Sequence, residues 1–174
     1  MKSGLKVKHF VAATNANDTV PQYLQSGVYT PKPSVQTISN AMDVGDPSNF
    51  ERLDMIFGHS CQTFGTTISS YSFTDDATRA KMKETYQQHG YILDPHGAVG
   101  MLGIEKQLSG DHDTPGIFLE TAHPCKFLDV VQEATGITPP LPETLKSCLD
   151  KKKESIKIDN DYKQLEKILA DRYL

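Results

Sequence analysis

Val7-Lys8-His9-Phe10-Val11-Ala12-Ala13 is the stretch that decides the fold class. A largely apolar, partly β-branched run with no turn residue inside it is what a parallel-sheet strand buried on both faces looks like. Nothing earlier in the chain can pair with it. Met1-Lys2-Ser3-Gly4 reads instead as a helix tail, with Gly4 in the position just past the helix end. The expectation is therefore a missing upstream half. Two shorter strands are predicted at Tyr91-Ile92-Leu93 and at Gly116 to Leu119. With helical patterns between and after them, the class is α/β: a partial parallel sheet flanked by many helices.

Working outward, a helix is predicted from about Thr19 to Ser26, stopped by Gly27, then an extended passage Val28-Tyr29-Thr30-Pro31-Lys32-Pro33 that proline keeps out of a central strand. Asp46-Pro47 reads as a helix start, Asp at the cap and Pro at the first helical position. That helix places Phe50, Leu53, Ile56 and Phe57 on one face as core. A further helix runs from Asp75 to His89 with Gly90 as its stop. Asp94-Pro95-His96 repeats the Asp-Pro start and opens a helix with Gly97, Gly100 and Gly103 at three-residue intervals. Three glycines on one face let another backbone or a planar ligand approach closely. Pro124 starts a helix that covers Phe127 to Ala134. A Pro-rich turn follows at Thr138 to Pro142, then another helix and a terminal amphipathic one with Tyr162, Leu165, Ile168 and Leu169 aligned. Lys151 to Lys153 reads as a solvated helix end. The core is expected over about residues 4–136, with a helical extension over about 137–174.

Composition bounds the function. The 174 residues are one domain's worth, and a net charge of −4 with mixed signs offers no basic surface for nucleic acid. With no long apolar run and no leader pattern, neither a membrane span nor a secretory signal is expected, and the cytoplasm is the expected location. Cys61, Cys125 and Cys148 are odd in number and widely spaced, which fits neither a disulfide framework nor a thiolate zinc site. A metal hydrolase built from His59, His89, His96, His112 and His123 with Asp94, Asp111 and Asp113 lacks the H-x-x-x-H type of pairing, and these residues fall on different predicted elements.

The candidate site begins in Thr37 to Arg52, which is too polar for core and too structured for a linker. Ser48 and Asn49 fall in the first turn of the Asp46 helix, where free N–H groups favour an anion, and Arg52 follows within reach. This suggests a phosphate seat; an ordinary capped helix is the other reading. Ser39, Asn40 and Asp43 add polar side chains just upstream. Thr121 and His123 lie where the Gly116–Leu119 strand ends. In open α/β sheets ligands bind beyond the carboxyl ends of strands, although a turn hydrogen bond and a structural imidazole would account for these two equally.

Five motifs in order, Ala12-Ala13-Thr14-Asn15-Ala16-Asn17-Asp18, Thr37-Ile38-Ser39-Asn40-Ala41-Met42-Asp43-Val44-Gly45, Asp46-Pro47-Ser48-Asn49, Asp94-Pro95-His96-Gly97-Ala98-Val99-Gly100 and Thr121-Ala122-His123-Pro124, resemble the C-terminal portion of threonine synthase. The resemblance covers nearly the whole chain. It implies a fold-type II enzyme of the tryptophan-synthase-β kind that uses pyridoxal 5'-phosphate to convert O-phosphohomoserine and water to threonine and phosphate. The family's cofactor lysine and its Gly-rich loop for the cofactor phosphate lie upstream and have no counterpart here, so this piece alone is expected to be inactive and to need the missing N-terminal part. By the same resemblance Thr121 faces the pyridine nitrogen. Ser39, Asn40, Asp94, His96 and His123 are placed near the cleft by motif position only, and Ser48, Asn49 and Arg52 rest on the anion-seat argument. Lys126 as an internal cofactor lysine is discounted, because a solvent-facing place in a first helical turn explains it more simply. The alternative is a standalone binding module that keeps the half-fold without catalysis. An exposed sheet edge would also invite homo-oligomers.

Overall fold

The computed structural model describes Gly4, residues 6–111 and residues 113–173. Met1 to Ser3, which carry most of the expected helix tail, and His112 of the metal-hydrolase reading lie outside the described residues.

The opening strand forms as β1, Phe10–Thr14, and pairs in parallel with β2, Ile68–Ser72, in the register Phe10 opposite Ile68 through Thr14 opposite Ser72. The ladder starts later than the sequence suggested. Lys8 and His9 are instead engaged through their side chains, Lys8 Nζ donating to Thr114 Oγ1 at 3.3 Å and His9 Nε2 lying 2.8 Å from Ser69 Oγ. Burial on both faces is corrected as well, since the sheet described has two strands and Phe10 is left 40% exposed. The sequence reading overlooked β2, because Ser69, Ser70 and Ser72 break any apolar pattern in it. It also overlooked the short helix over Cys61–Thr67 that leads into it.

Helix α1, Thr19–Ser26, ends at Gly27 with φ 75°, as expected, and α4, Asp75–His89, ends at Gly90 with φ 66°. A side chain would be strained at either position. Helix α2 spans Phe50–Ile56, not a helix from Pro47. Asp46 does not cap it. Its Oδ1 accepts the Tyr29 hydroxyl at 2.9 Å, and the Tyr29 ring stacks on Phe50 at 3.8 Å. Phe50 is buried and Leu53 and Phe57 pack beside it, but Ile56 is exposed, contrary to the predicted stripe. Helix α3, Cys61–Thr67, buries Phe64 against Tyr23, Phe50 and Ile68.

Helix α5, Pro95–Gln107, starts as predicted. Asp94 Oδ1 accepts the His96 N–H at 2.8 Å, and residues 93–99 are buried in an unbroken run. Its glycine face answers the question the spacing raised, in favour of protein over ligand. A Cβ on Gly103 would lie 2.7 Å from Ala13 Cβ in β1, one on Gly100 would touch Phe118 at 3.4 Å, and one on Gly97 would overlap the Glu120 carboxyl. A 3-10 turn over Pro124–Phe127 precedes α6, Leu128–Thr135, and the second core joins α4, α5 and α6 through Met82, Leu93, Ala98, Val131 and Ala134.

Two predicted strands do not form. Residues 91–93 and 116–119 have no ladder partners, and Ile117 and Leu119 are 84% and 74% exposed. The chain divides after Pro140. The second unit holds α7, Glu143–Leu149, and α8, Tyr162–Tyr173, neither with a buried residue. No helix among the described residues is long and apolar enough to cross a membrane.

Candidate functional site

At the carboxyl end of β1 the chain passes into Asn15 and Asn17, both buried. Asn15 Nδ2 donates to Asp43 Oδ1 and to Thr37 Oγ1, each at 2.8 Å, with Ser39 Oγ at 3.1 Å. Asn17 clamps the main chain of Val35 from both sides, its Nδ2 donating to the carbonyl at 2.8 Å and its Oδ1 accepting the N–H at 2.7 Å. Asp43 accepts the Thr37 N–H at 2.9 Å and the Thr37 hydroxyl at 2.7 Å. The segment from Val35 to Asp43 is thus fixed by side chains in place of a ladder, and a buried network satisfied in this way is rigid. Ile38 N–H points to the Asp75 carboxylate at 3.3 Å, which ties the same segment to the start of α4.

His96 joins this frame to a second one. The Ala41 N–H donates to its Nε2 at 3.1 Å, so the ring proton sits on Nδ1 and is donated to Asp94 Oδ1 at 2.6 Å. The ring is buried, 4.9 Å from that of Phe127. From Asp94 the network continues to Glu120, whose Oε1 accepts the Asp94 N–H at 2.8 Å. Burial, then the hydrogen bond and charge of Asp94, push the Glu120 carboxyl up to about 8. Burial alone would raise Asp94 too, but hydrogen bonds from His96 and Glu120 hold it below the ordinary carboxylate value.

Glu120 delivers the chain to a cleft of about 560 Å³ lined by Gly90 to Ile92, Glu120 to Pro124, Pro139 and Pro140. Thr121 and His123 are both exposed there. His123 also has the structural role weighed for it, since its Nδ1 accepts the Cys125 N–H at 3.1 Å and caps the 3-10 turn. A second cleft of about 310 Å³ lies between Thr37, Ile38 and Asn40 and the segment Lys126 to Val130. Asn40 opens onto it, whereas Ser39 is buried in the frame.

The structure thus brings Thr121 and His123 together and sets Asn40 at a neighbouring opening. Ser48, Asn49 and Arg52 are exposed and line neither cleft. Because α2 begins after Asn49, the helix-dipole part of the anion-seat argument does not hold for Ser48 and Asn49. Sequence reasoning missed Glu120. Its only trace was Gly97, a gap in a buried helix face that some group had to fill. It also gave no role to Asn15 and Asn17, although two asparagines directly after a strand are a recognisable turn and anchor signal. Among the described residues no group of three His, Cys, Asp or Glu side chains converges on a point that could hold a metal ion.

The family described as threonine synthase, C-terminal, matches residues 97–169. The chain is 44% identical to a threonine synthase of Haemophilus influenzae over 165 residues, which is 93% of this chain and 37% of that protein. It is 37% identical to the Escherichia coli enzyme over 169 residues, 97% of this chain and 38% of the relative. The crystal structure of E. coli threonine synthase superposes with a TM-score of 0.80 at 35% identity, over 97% of this chain and 38% of that one. A PLP-bound threonine synthase from Brucella melitensis gives 0.78 at 28% identity, over 97% and 41%. The chain therefore spans under half the length of the relatives it matches. With the parallel strand pair, the Asp94 and Thr121 motifs and this likeness along almost its entire length, the chain belongs to the threonine synthase family, of which it spans the C-terminal part.

Proposed function

We propose that the chain serves as the C-terminal part of a threonine synthase that converts O-phosphohomoserine and water to threonine and phosphate in the cytoplasm. The observation that carries this reading is the exposed Thr121 hydroxyl side chain on the larger cleft, next to Glu120, whose carboxyl accepts the Asp94 N–H. That chemistry fits the ring nitrogen of pyridoxal phosphate. A neutral hydroxyl bonds such a nitrogen without the charge stabilisation an ionised carboxylate would impose. When bound, the cofactor supplies the electron sink of the reaction. Thr121 orients its ring, His123 flanks it, and the segment from Val35 to Asp43, braced by buried Ser39, presents Asn40 toward the substrate. Arg52, with Ser48 and Asn49, offers the substrate phosphate a side-chain seat. The cofactor lysine and the cofactor-phosphate loop come from the part of the relatives that this chain does not span.

The test is reconstitution. The chain alone, given pyridoxal phosphate and O-phosphohomoserine, is expected to release no phosphate. Combined with a polypeptide covering the rest of the E. coli relative, it is expected to bind cofactor and release phosphate. Release by the chain alone, or none from the combination, would overturn the reading. In the active combination Arg52→Ala is expected to raise KM for O-phosphohomoserine about tenfold, the loss of one charged hydrogen bond. An unchanged KM places the phosphate elsewhere.

A further inference from the structure

The Asp94 and Glu120 side chains form a buried acid pair whose hydrogen bonds do not close if both are ionised. Asp94 Oδ1 is occupied by the His96 N–H and Nδ1–H, and Glu120 Oε1 by the Asp94 N–H. Asp94 Oδ2 and Glu120 Oε2 are both buried and have no N–H or O–H partner. The two carboxyl groups are neighbours, since Glu120 Oε1 sits 2.8 Å from the Asp94 N. One proton between them resolves the arrangement, because it gives both oxygens a partner and leaves a single negative charge facing His96. Gly97 makes the room, since any Cβ there would occupy the space of the Glu120 carboxyl.

We propose that Glu120 is a positioning residue that shares one proton with Asp94 in the gap left by Gly97, and that this acid pair fastens the adjacent Thr121 to the start of α5. Among the described residues, the other ionisable groups facing the pair are His96 at the start of α5 and Tyr91 just before it, whose phenol is pushed up by burial and by the charges of Glu120 and Asp94. No cation is among them, so no opposing charge favours ionising Glu120. The raised Glu120 carboxyl, at about 8, agrees with the geometry. The inference rests on the preceding reading only for why Thr121 needs fastening. The shared proton stands or falls without any ligand.

The experiment is a pH titration of the 174-residue chain labelled with 13C at glutamate carboxyls and 15N at amides, with Glu120→Gln assigning the resonance. The expected result is a Glu120 midpoint at least about two pH units above the ordinary glutamate range, with the Thr121 amide resonance shifting at the same midpoint. A Glu120 midpoint in the ordinary range overturns the shared proton. A raised midpoint to which Thr121 does not respond overturns the positioning role. Glu120→Gln, which can still donate to Asp94, is expected to keep the wild-type amide exchange rate at Thr121. Glu120→Ala is expected to speed it more than tenfold while amides in α6 stay unchanged. Equal exchange in the two variants contradicts the proposal, and the wild-type titration decides even if a variant does not fold.

Discussion

At the scale of single residues, Asp94 is the position where sequence and structure agree most closely, because its side chain caps the helix that the Asp-Pro pair announces. Asp46-Pro47 carries the same signal and fails, since Tyr29 takes the aspartate and the chain turns once more before α2 begins. A local rule cannot foresee a hydroxyl that arrives from seventeen residues away. The same limit hid Glu120, whose behaviour depends on a helix face distant in sequence. Its effect on stability has a definite sign. Glu120 holds its proton to about 8 in the fold, against an ordinary value of 4.5. The folded state therefore binds the extra proton between these limits. The stabilisation is full below the ordinary glutamate value and is lost as pH rises through about 8. Asp94, held low, contributes in the opposite sense, and its share is lost only as pH falls through its depressed value. Tm is expected to fall as pH rises from 4.5 to about 8, and Glu120→Gln to flatten that slope. A slope in the variant as steep as in the wild type would assign the dependence to other groups.

At the scale of elements, the helices were legible where a strong stop or start bounded a periodic run, as for α1 at Gly27 and α4 at Gly90. Strands were less so. β1 announced itself by hydropathy, β2 was concealed by its serines, and the segment around Ile117 has strand chemistry without a neighbour to pair with. Strand identity is a property of pairs, and only one member of each pair is written locally. The glycines of α5 can be tested one against another. Gly103→Ala drives a Cβ to 2.7 Å from Ala13 and 3.3 Å from Val11. It is expected to cost about 1–2 kcal/mol, overpacking partly offset by better helix propensity. Gly100→Ala meets Phe118 at 3.4 Å, an ordinary contact, and is expected to be neutral or to stabilise by up to about 1 kcal/mol. Urea denaturation of both variants measures the contrast, and equal losses would mean that β1 does not lie as tightly on α5 as described.

At the scale of the whole molecule, the described residues carry two apolar clusters and one strand pair, yet Phe10, Ile117 and Leu119 face outward. Outward apolar side chains beside unpaired backbone are a template for another strand. In solution the isolated chain is expected to self-associate as its concentration rises. Replacing Ile117 and Leu119 together by lysine is expected to shift sedimentation toward the monomer. A wild-type chain that stays monomeric throughout would show that this surface tolerates water. Helix α5 is the part that all these contacts share, and its three glycines mark off distance along it. Each interval of three residues advances ~4.5 Å, close to the spacing between adjacent strands. The helix therefore acts as a ruler laid across its neighbours: Glu120 at the first mark, Phe118 at the second, β1 at the third. An inserted or deleted residue between the marks turns the remaining ones ~100° away. Length changes in this family member therefore belong in the turn after Leu108, where the ruler has already been read.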